Sequence, residues 1–289
     1  MSKLSVVLAT RNEEENIGRC LEAVKSIADE IIVLDEYSTD KTVEIAKRFG
    51  AKVYEEPHHD IFHITKQKAI DKAKGDWVLQ LDADEVVTPE LAREISDVIN
   101  MTDKDMLARK PKDIKKQKLF ERHTKLISKR DGGVGSSGKI AAFFIPRKNI
   151  FLGEPLVHAG VYPDPAIRLI RKGKARLPGK SVHEIMEVDG KVLWLFNDML
   201  HYDSPNLTRY IDRLNRYTDL FASELKDNKV RANYFNLLNY SSAKPFVNFI
   251  KLYIVHRGYL DGMRGFVWSV FSSLHFPIAY FKYYSKEKS

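Results

Sequence analysis

The chain has 289 residues, of which 44% are hydrophobic, and carries a formal net charge of +8. That length allows one large domain or two small ones, and that apolar share is ordinary for a globular fold. Its single cysteine, Cys20, excludes an internal disulfide framework and fits a reducing compartment.

Met1-Ser2-Lys3 leads straight into the apolar run Leu4 to Ala9, which predicts a buried strand rather than a secretory leader. Asn12, with Glu15 three residues on, matches a capping box, and Ile17, Leu21, Val24 and Ile27 recur at helical spacing behind it. Ile31 to Leu34 predicts a second strand ending in Asp35. Asp40 is placed to cap a helix with Val43, Ala46 and Phe49 inward and Gly50 as its stop. A third strand lies near Val53, and Phe62, Lys66, Ala69 and Ala73 outline a third helix before Gly75. Trp77 to Leu81 is the fourth strand, and Thr88-Pro89 opens a helix with Leu91, Ile95 and Val98 on one face.

Strand and helix thus alternate through the first hundred residues, which implies an α/β fold with a mostly parallel sheet flanked by helices. Ligands of such sheets bind beyond the carboxyl ends of the strands. The polar clusters fall at those ends: Thr10 to Glu13, Asp35 to Asp40, and Asp82 to Glu85. Asp82 and Asp84 are spaced i, i+2, so an extended backbone projects them to one side. Two such carboxylates repel unless a cation lies between them, which suggests half of a Mg²⁺ or Mn²⁺ site. A solvated acidic turn is the alternative.

Lysine and arginine dominate residues 102–138, with glycines at 132, 133, 135 and 138, and this stretch reads as a mobile, solvated insertion. Strand-like runs return at Ile140 to Ile145 and Ala166 to Ile170. Ser204-Pro205 opens a long helix with Leu207, Ile211, Leu214, Tyr217, Phe221 and Leu225 on one face. The last forty residues are rich in aromatics. Gly265 to Phe281 is short for a membrane span, which needs roughly 20 apolar residues. With Arg257, Arg264 and Lys282 flanking it, that segment suits a helix lying in a membrane interface, or else a core helix. The expected divisions are 1–100, the alternating strand and helix half; 101–138, the basic insertion; 139–205, a second, strand-rich half of the same domain; and 206–289, a helical, membrane-associating region.

The net charge favours partners rich in phosphate. Because the excess sits mainly between Lys104 and Arg130 and from Arg168 to Lys180, it forms local patches, and no nucleic-acid partner is expected.

The chain resembles the inverting family 2 glycosyltransferases of GT-A type, and within them the branch of lipopolysaccharide-core β-glucosyltransferases. The resemblance rests on Val6 to Glu14, on Val33 to Thr42, and on Leu81-Asp82-Ala83-Asp84-Glu85. Further along it rests on Tyr162-Pro163-Asp164 with Arg168, on Val182-His183-Glu184, and on His201-Tyr202. Glu36 departs from the family's usual second element, and the basic insertion lies outside the resemblance.

The resemblance implies a Rossmann-like nucleotide-binding half, a UDP-hexose donor and a saccharide or lipid-linked acceptor. It implies cytoplasmic work at the inner face of the membrane, with peripheral contact to anionic lipid. It assigns nucleotide contacts to Thr10, Asn12, Glu13, Asp35, Tyr37, Lys66 and Asp82, with Asp35 accepting from uracil N3–H. It makes Asp84 the main metal ligand and Asp82 a ribose or second metal contact. For the base that deprotonates the acceptor it leaves Asp164 and Glu184, the latter oriented by His183. His201 is either a further metal or diphosphate contact or a structural histidine. His58, His59 and His63 suggest a metal cluster by composition, but read as solvated or donor-loop residues. Two other functions compete. A nucleotidyltransferase would open with a glycine-rich loop after the first strand, and Ala9 to Glu13 has no glycine; a Gly-x-Gly-x-x-Gly dinucleotide site is absent for the same reason. A non-catalytic binder of nucleic acid or lipid would use the basic insertion.

Overall fold

The computed structural model describes residues 1–59, 61–131, 135, 137–179 and 186–287. Two compact units emerge. The first comprises Met1–Arg147 with Pro165–His201, and the second Lys148–Asp164 with Tyr202–Ser289.

The first unit opens with β1 (Leu4–Thr10), α1 (Ile17–Val24), β2 (Glu30–Asp35), α2 (Thr42–Arg48), β3 (Lys52–Glu55), α3 (Phe62–Lys72) and β4 (Trp77–Leu81). All seven residues of β1 are buried, as an apolar strand covered on both faces requires. Leu4, Val6 and Leu8 enter one core cluster with Ile17, Leu21 and Phe143. Val7 points the opposite way, into a second cluster with Ala69, Val78 and Ala142. The pairs β1–β2, β1–β4 and β2–β3 are all parallel. Their register sets Thr10 beside Asp35 and Leu8 beside Leu81, so the polar loops after three strands emerge together.

Next come β5 (Glu85–Val87), α4 (Pro89–Val98), α5 (Asp103–Ala108), α6 (Ile114–Asp131) and β6 (Ile140–Phe151). The N-terminus of α4 has Pro89 in its first turn, and the Thr88 hydroxyl accepts from the Leu91 amide at 3.2 Å, as the sequence predicts. The remaining strands are β7 (Glu154–Leu156), β8 (Pro165–Arg171), β9 (Ala175–Arg176), β10 (Glu187–Val188), β11 (Lys191–Trp194) and β12 (Met199–Ser204). The main sheet runs β3-β2-β1-β4-β8-β6-β12-β5, and β9 and β10 form a separate ribbon. β8 is antiparallel to both β4 and β6, and β12 is antiparallel to β5. The expected mostly parallel sheet flanked by helices is therefore present, with its antiparallel part supplied by the later strands.

Two local expectations are corrected. Asn12 does not cap α1: its φ is 54°, and its side chain accepts from the Thr39 amide at 2.8 Å, so the helix starts only at Ile17. The basic stretch is not a bare solvated insertion. It forms α5 and α6, and Phe120 and Ile127, one heptad apart, are buried. Phe120 stacks on Trp194 with centroids 4.3 Å apart, and the Trp194 indole donates to the Thr124 hydroxyl at 2.9 Å. A dense charge pattern concealed that apolar stripe. The segment Gly265 to Phe281 buries Ser269, Ser273, Ala279 and Tyr280 within the second unit and leaves Phe266, Leu274 and Phe281 exposed.

That second unit holds α7 (Leu207–Asp227), then α8 (Tyr234–Leu238), a π turn (Asn239–Ala243), α9 (Lys244–Ile250), a second π turn (Lys251–Val255), a 3₁₀ turn (Gly258–Asp261) and α10 (Gly262–Glu287). Along α10, Ser269, Ser273, Ala279, Tyr280 and Tyr283 are buried. Ser269 and Ser273 satisfy their hydroxyls on the carbonyls one turn back, at 2.7 and 2.6 Å, so polar residues enter the core without loss. Tyr280 and Tyr283 pack with Ala222 and Leu225 of α7, while Phe151, Leu156 and Tyr210 form another cluster against Trp268 and Phe271. Among the described residues no helix is long and apolar enough to cross a membrane.

Candidate active site

The loops after β1 and β2 are tied together by short polar side chains. Asp35 is only 1% exposed, and its carboxylate accepts from the Thr10 hydroxyl at 3.0 Å, the Ser38 hydroxyl at 2.6 Å and the Ser38 amide at 2.7 Å. These bonds come from inside the protein, so Asp35 organises the loop between β2 and α2. Asn12 bridges the same loops, its amide donating to Ser38 Oγ at 2.8 Å. The Glu13 amide donates to the Thr42 hydroxyl at 2.7 Å, while the Glu13 carboxylate accepts from Asn16 at 2.8 Å. Asp40 accepts from the Thr42 amide at 2.9 Å and its hydroxyl at 2.5 Å, one residue ahead of the Lys41 N-cap of α2. Burial works to raise the Asp40 pKa, but these bonds, with one from the Glu14 amide, hold it below the usual carboxylate value.

One residue of this pair of loops stands out into solvent. Tyr37 has φ 51° and is 58% exposed. The left-handed backbone turns the chain outward and leaves the aromatic ring uncovered. Its neighbour Glu36, 2% exposed, lies the opposite way, accepting from the Thr65 hydroxyl and contacting His58 Nδ1 at 2.6 Å. His58 is thereby a partner of a buried carboxylate, and His59 contacts Lys68 at 3.2 Å. Among the described residues no group of three or more His, Cys, Asp or Glu side chains is arranged to hold a metal.

The loop after β4 is a tight turn in which the Asp82 amide donates to the Glu85 carboxylate at 3.0 Å and the Glu85 amide donates to the Asp82 carbonyl at 3.0 Å. Asp84 sits at the tip of that turn. Asp82 faces two cations, Lys66 Nζ at 2.5 Å and Arg168 Nη2 at 2.6 Å. Arg168 also reaches Glu85 at 2.6 Å and Gln80, and Arg147 reaches Glu85 at 3.1 Å. Two carboxylates therefore sit among three cations. Burial pushes the Asp82 carboxyl upward, but the Arg168 and Lys66 charges override it and hold it well below the ordinary carboxylate range. Asp82 thus meets a cation on each oxygen, Lys66 on Oδ1 and Arg168 on Oδ2.

Asp84 has a different neighbour. The antiparallel register of β5 with β12 pairs Glu85 with His201, which brings His201 Nε2 to 3.7 Å from Asp84 Oδ2. Both side chains are largely buried, at 16% and 11% exposure. A hard divalent ion that also binds substrate phosphates is held through as few as one or two protein carboxylates. Asp84, with the His201 imidazole beside it, is the side chain here that could hold such an ion.

Of the other expected residues, Asp164 lies in the second unit with φ 36°, accepting from the Asn149 amide group at 3.1 Å. His183 and Glu184 lie outside the described residues. Sequence reasoning assigned no role to Glu85, Arg147 or Gln80; the apolar-to-acidic boundary at Leu81 marked their neighbourhood, but their partners come from β6 and β8, far away in the chain.

Residues 5–159, over half of the chain, match the family model for Glycosyl transferase family 2. The chain belongs to that family. It is a glycosyltransferase, which sets aside the nucleotidyltransferase and the non-catalytic readings. Similar family members include an uncharacterized glycosyltransferase of Rickettsia typhi, 28% identical over 279 residues that cover 93% of this chain and 82% of the relative. The lipopolysaccharide core biosynthesis glycosyltransferase LpsC of Rhizobium meliloti is 22% identical over 271 residues, covering 91% and 85%. Among solved structures, the mannosyltransferase PcManGT of Pyrobaculum calidifontis, in complex with GDP-Man and Mn²⁺, is similar with a TM-score of 0.47 and 13% identity, covering 100% of this chain and 88% of that one.

Proposed function

We propose that this family 2 enzyme is an inverting, metal-dependent hexosyltransferase that takes its sugar from a uridine diphosphate donor. Its acceptor is a cell-envelope saccharide or lipid-linked glycan, reached peripherally at the cytoplasmic face of the membrane. The observation that carries the reading is the Asp84–His201 pair beside Lys66, Arg147 and Arg168, at the carboxyl end of β4. A sugar nucleotide leaves as a diphosphate, and that leaving group needs positive charge near it. A divalent ion held by Asp84 and His201 would supply Lewis-acid assistance to the departing diphosphate.

The protein's own residues do the rest. The exposed Tyr37 ring offers a stacking surface for the base, on a loop held rigid by Asp35, Ser38, Thr10 and Asn12. Glu13 belongs to the same loops, and Lys66 meets Asp82 at the end of β4. Lys66 and Arg168 keep Asp82 ionised, and so keep the Asp82–Glu85 turn that presents Asp84. In the transfer, the acceptor oxygen forms a bond to the anomeric carbon while the bond from that carbon to the diphosphate oxygen breaks. The hydroxyl proton passes to a carboxylate, for which Asp164 and Glu184, with His183 as orienter, are the candidates.

A panel of nucleotide sugars with Mg²⁺ or Mn²⁺, scored by nucleoside diphosphate release, tests this. A uridine diphosphate hexose is expected to be turned over by the wild type and not by Asp84→Asn. Equal turnover by both proteins would overturn the assignment of Asp84.

A further inference from the structure

We infer that the helical segment from Tyr234 to Met263 is a docking face for an anionic lipid bilayer. The inference rests on the transferase reading above, and locates its membrane contact on a different element from the aromatic C-terminal helix that the sequence suggests. Along the continuous helical path through α8, α9 and the two π turns, Phe235, Leu238, Phe246, Val247, Ile254 and Val255 are all exposed, Phe235 by 76% and Val255 by 67%. Phe235, Leu238, Ser242, Phe246, Ile250 and Ile254, all exposed, step by three and four residues, with Val247 and Val255 beside them, so they form one stripe. The 3₁₀ turn and the start of α10 extend it with Tyr259, Leu260 and Met263, the last 74% exposed. The opposite side of the path is anchored: Tyr240 stacks on Tyr280 at 5.1 Å, and Asn248 donates to Ser273 at 3.3 Å. The stripe is a fixed outer surface of the second unit, and a contiguous apolar patch of this kind marks an interaction site.

Charge selects the occupant. From Arg231 to Arg264 the chain carries five cations (Arg231, Lys244, Lys251, Arg257 and Arg264) and one acid, Asp261. Asp261 is only 9% exposed and is taken by His158, whose amide donates to it at 2.7 Å and whose ring Nδ1 lies at 2.8 Å. Arg264 is paired with Glu154 at 2.5 Å and Lys244 lies over the Tyr240 ring, so the face toward solvent is apolar with the exposed Arg231, Lys251 and Arg257 as its basic margin. A second copy docked through the same face by a two-fold axis would set basic margin against basic margin, which disfavours it. A surface of anionic headgroups over acyl chains matches both features.

The docking segment is also bonded to the loop that carries Asp164. Besides the His158–Asp261 pair, the Ala159 amide donates to the His256 carbonyl at 2.9 Å. Within this unit, then, the loop holding one base candidate is fastened to the element that meets the bilayer, which suits an acceptor presented from a lipid.

The test is co-sedimentation of the full chain with vesicles of phosphatidylcholine alone and of phosphatidylcholine mixed with phosphatidylglycerol. The wild type is expected to bind the mixed vesicles and to be released by salt. The variant F235S/F246S/V255S is expected to lose about tenfold or more of that binding, and R231E/K251E to lose the preference for phosphatidylglycerol. Thermal melting confirms that each variant is folded; if the triple variant melts early, the charge pair decides. Wild-type binding that ignores phosphatidylglycerol, or a folded variant that binds like wild type, would overturn the proposal. So would sedimentation velocity showing that the face holds a dimer together without vesicle binding. Nucleoside diphosphate release from a soluble donor, measured without vesicles, separates the two readings: its absence with vesicle binding intact sinks the proposed donor and metal reading alone.

Discussion

The Arg168 guanidinium spans Asp82 and Glu85, with Nη2 at 2.6 Å from each carboxylate. Arg168 is 7% exposed and Glu85 wholly buried, so the bridge joins β8 to the β4–β5 turn in a low-dielectric setting. Such a bridge adds little net stability over an apolar substitute, yet removing one member strands the others.

Arg168→Met is accordingly expected to lower unfolding stability by about 3–5 kcal/mol, read from urea denaturation midpoints. Arg176→Met breaks an ion pair between exposed side chains with Glu187, and is expected to cost no more than ~1 kcal/mol. Equal effects would show that burial does not govern the bridge.

Asp82 gives the protein an acid-sensitive stability term. Its folded pKa is held well below the ordinary value, chiefly against burial by Arg168 and Lys66. The unfolded chain takes up that proton near its unperturbed pKa of about 3.9. Above that value the stabilisation is fully present, and it is lost as pH falls toward the folded pKa, with a slope of up to about 1.4 kcal/mol per pH unit. Denaturation midpoints measured below roughly pH 5 should therefore fall less steeply for Asp82→Asn than for the wild type. Parallel slopes would contradict the ion-pair assignment.

Removal of His201 tests the ion through binding as well as turnover. His201→Ala is expected to weaken Mn²⁺ affinity, followed by the paramagnetic signal of free Mn²⁺, by at least about tenfold, or ~1.4 kcal/mol. Asp84→Asn should weaken it further, because the carboxylate supplies the charge. Unchanged ion affinity in both variants would show that the pair is structural.

Tyr37 is expected to act through its ring and not its hydroxyl. Tyr37→Ala should weaken uridine diphosphate binding by about 1–3 kcal/mol, the range for a base stacked on an aromatic side chain, whereas Tyr37→Phe should bind nearly as well as wild type. Isothermal titration decides; equal losses would assign the contact to the hydroxyl, and no loss to neither.

The β-α alternation was legible because each of its signals is local. The run Leu4 to Ala9, the stop at Gly50 and the Thr88-Pro89 start depend only on neighbours a few residues away, and Asp40 bonds Thr42 two residues on. The acidic turn after β4 was visible for the same reason. The α6 stripe was not, because Phe120 and Ile127 are isolated among lysines and acquire meaning only against Trp194.

Sequence alone, then, determined β1 to β4, the starts of α3 and α4, and which loops gather at the carboxyl ends of the parallel strands, since these follow from periods of two and 3.6 residues. Tertiary structure alone decided what each carboxylate became. Asp82 is neutralised by Arg168 across the β4–β8 pairing, while Asp84 is left beside His201 by the β5–β12 register. Two aspartates spaced i, i+2 look alike along a chain; they diverge only when strands distant in sequence deliver an arginine to one and a histidine to the other.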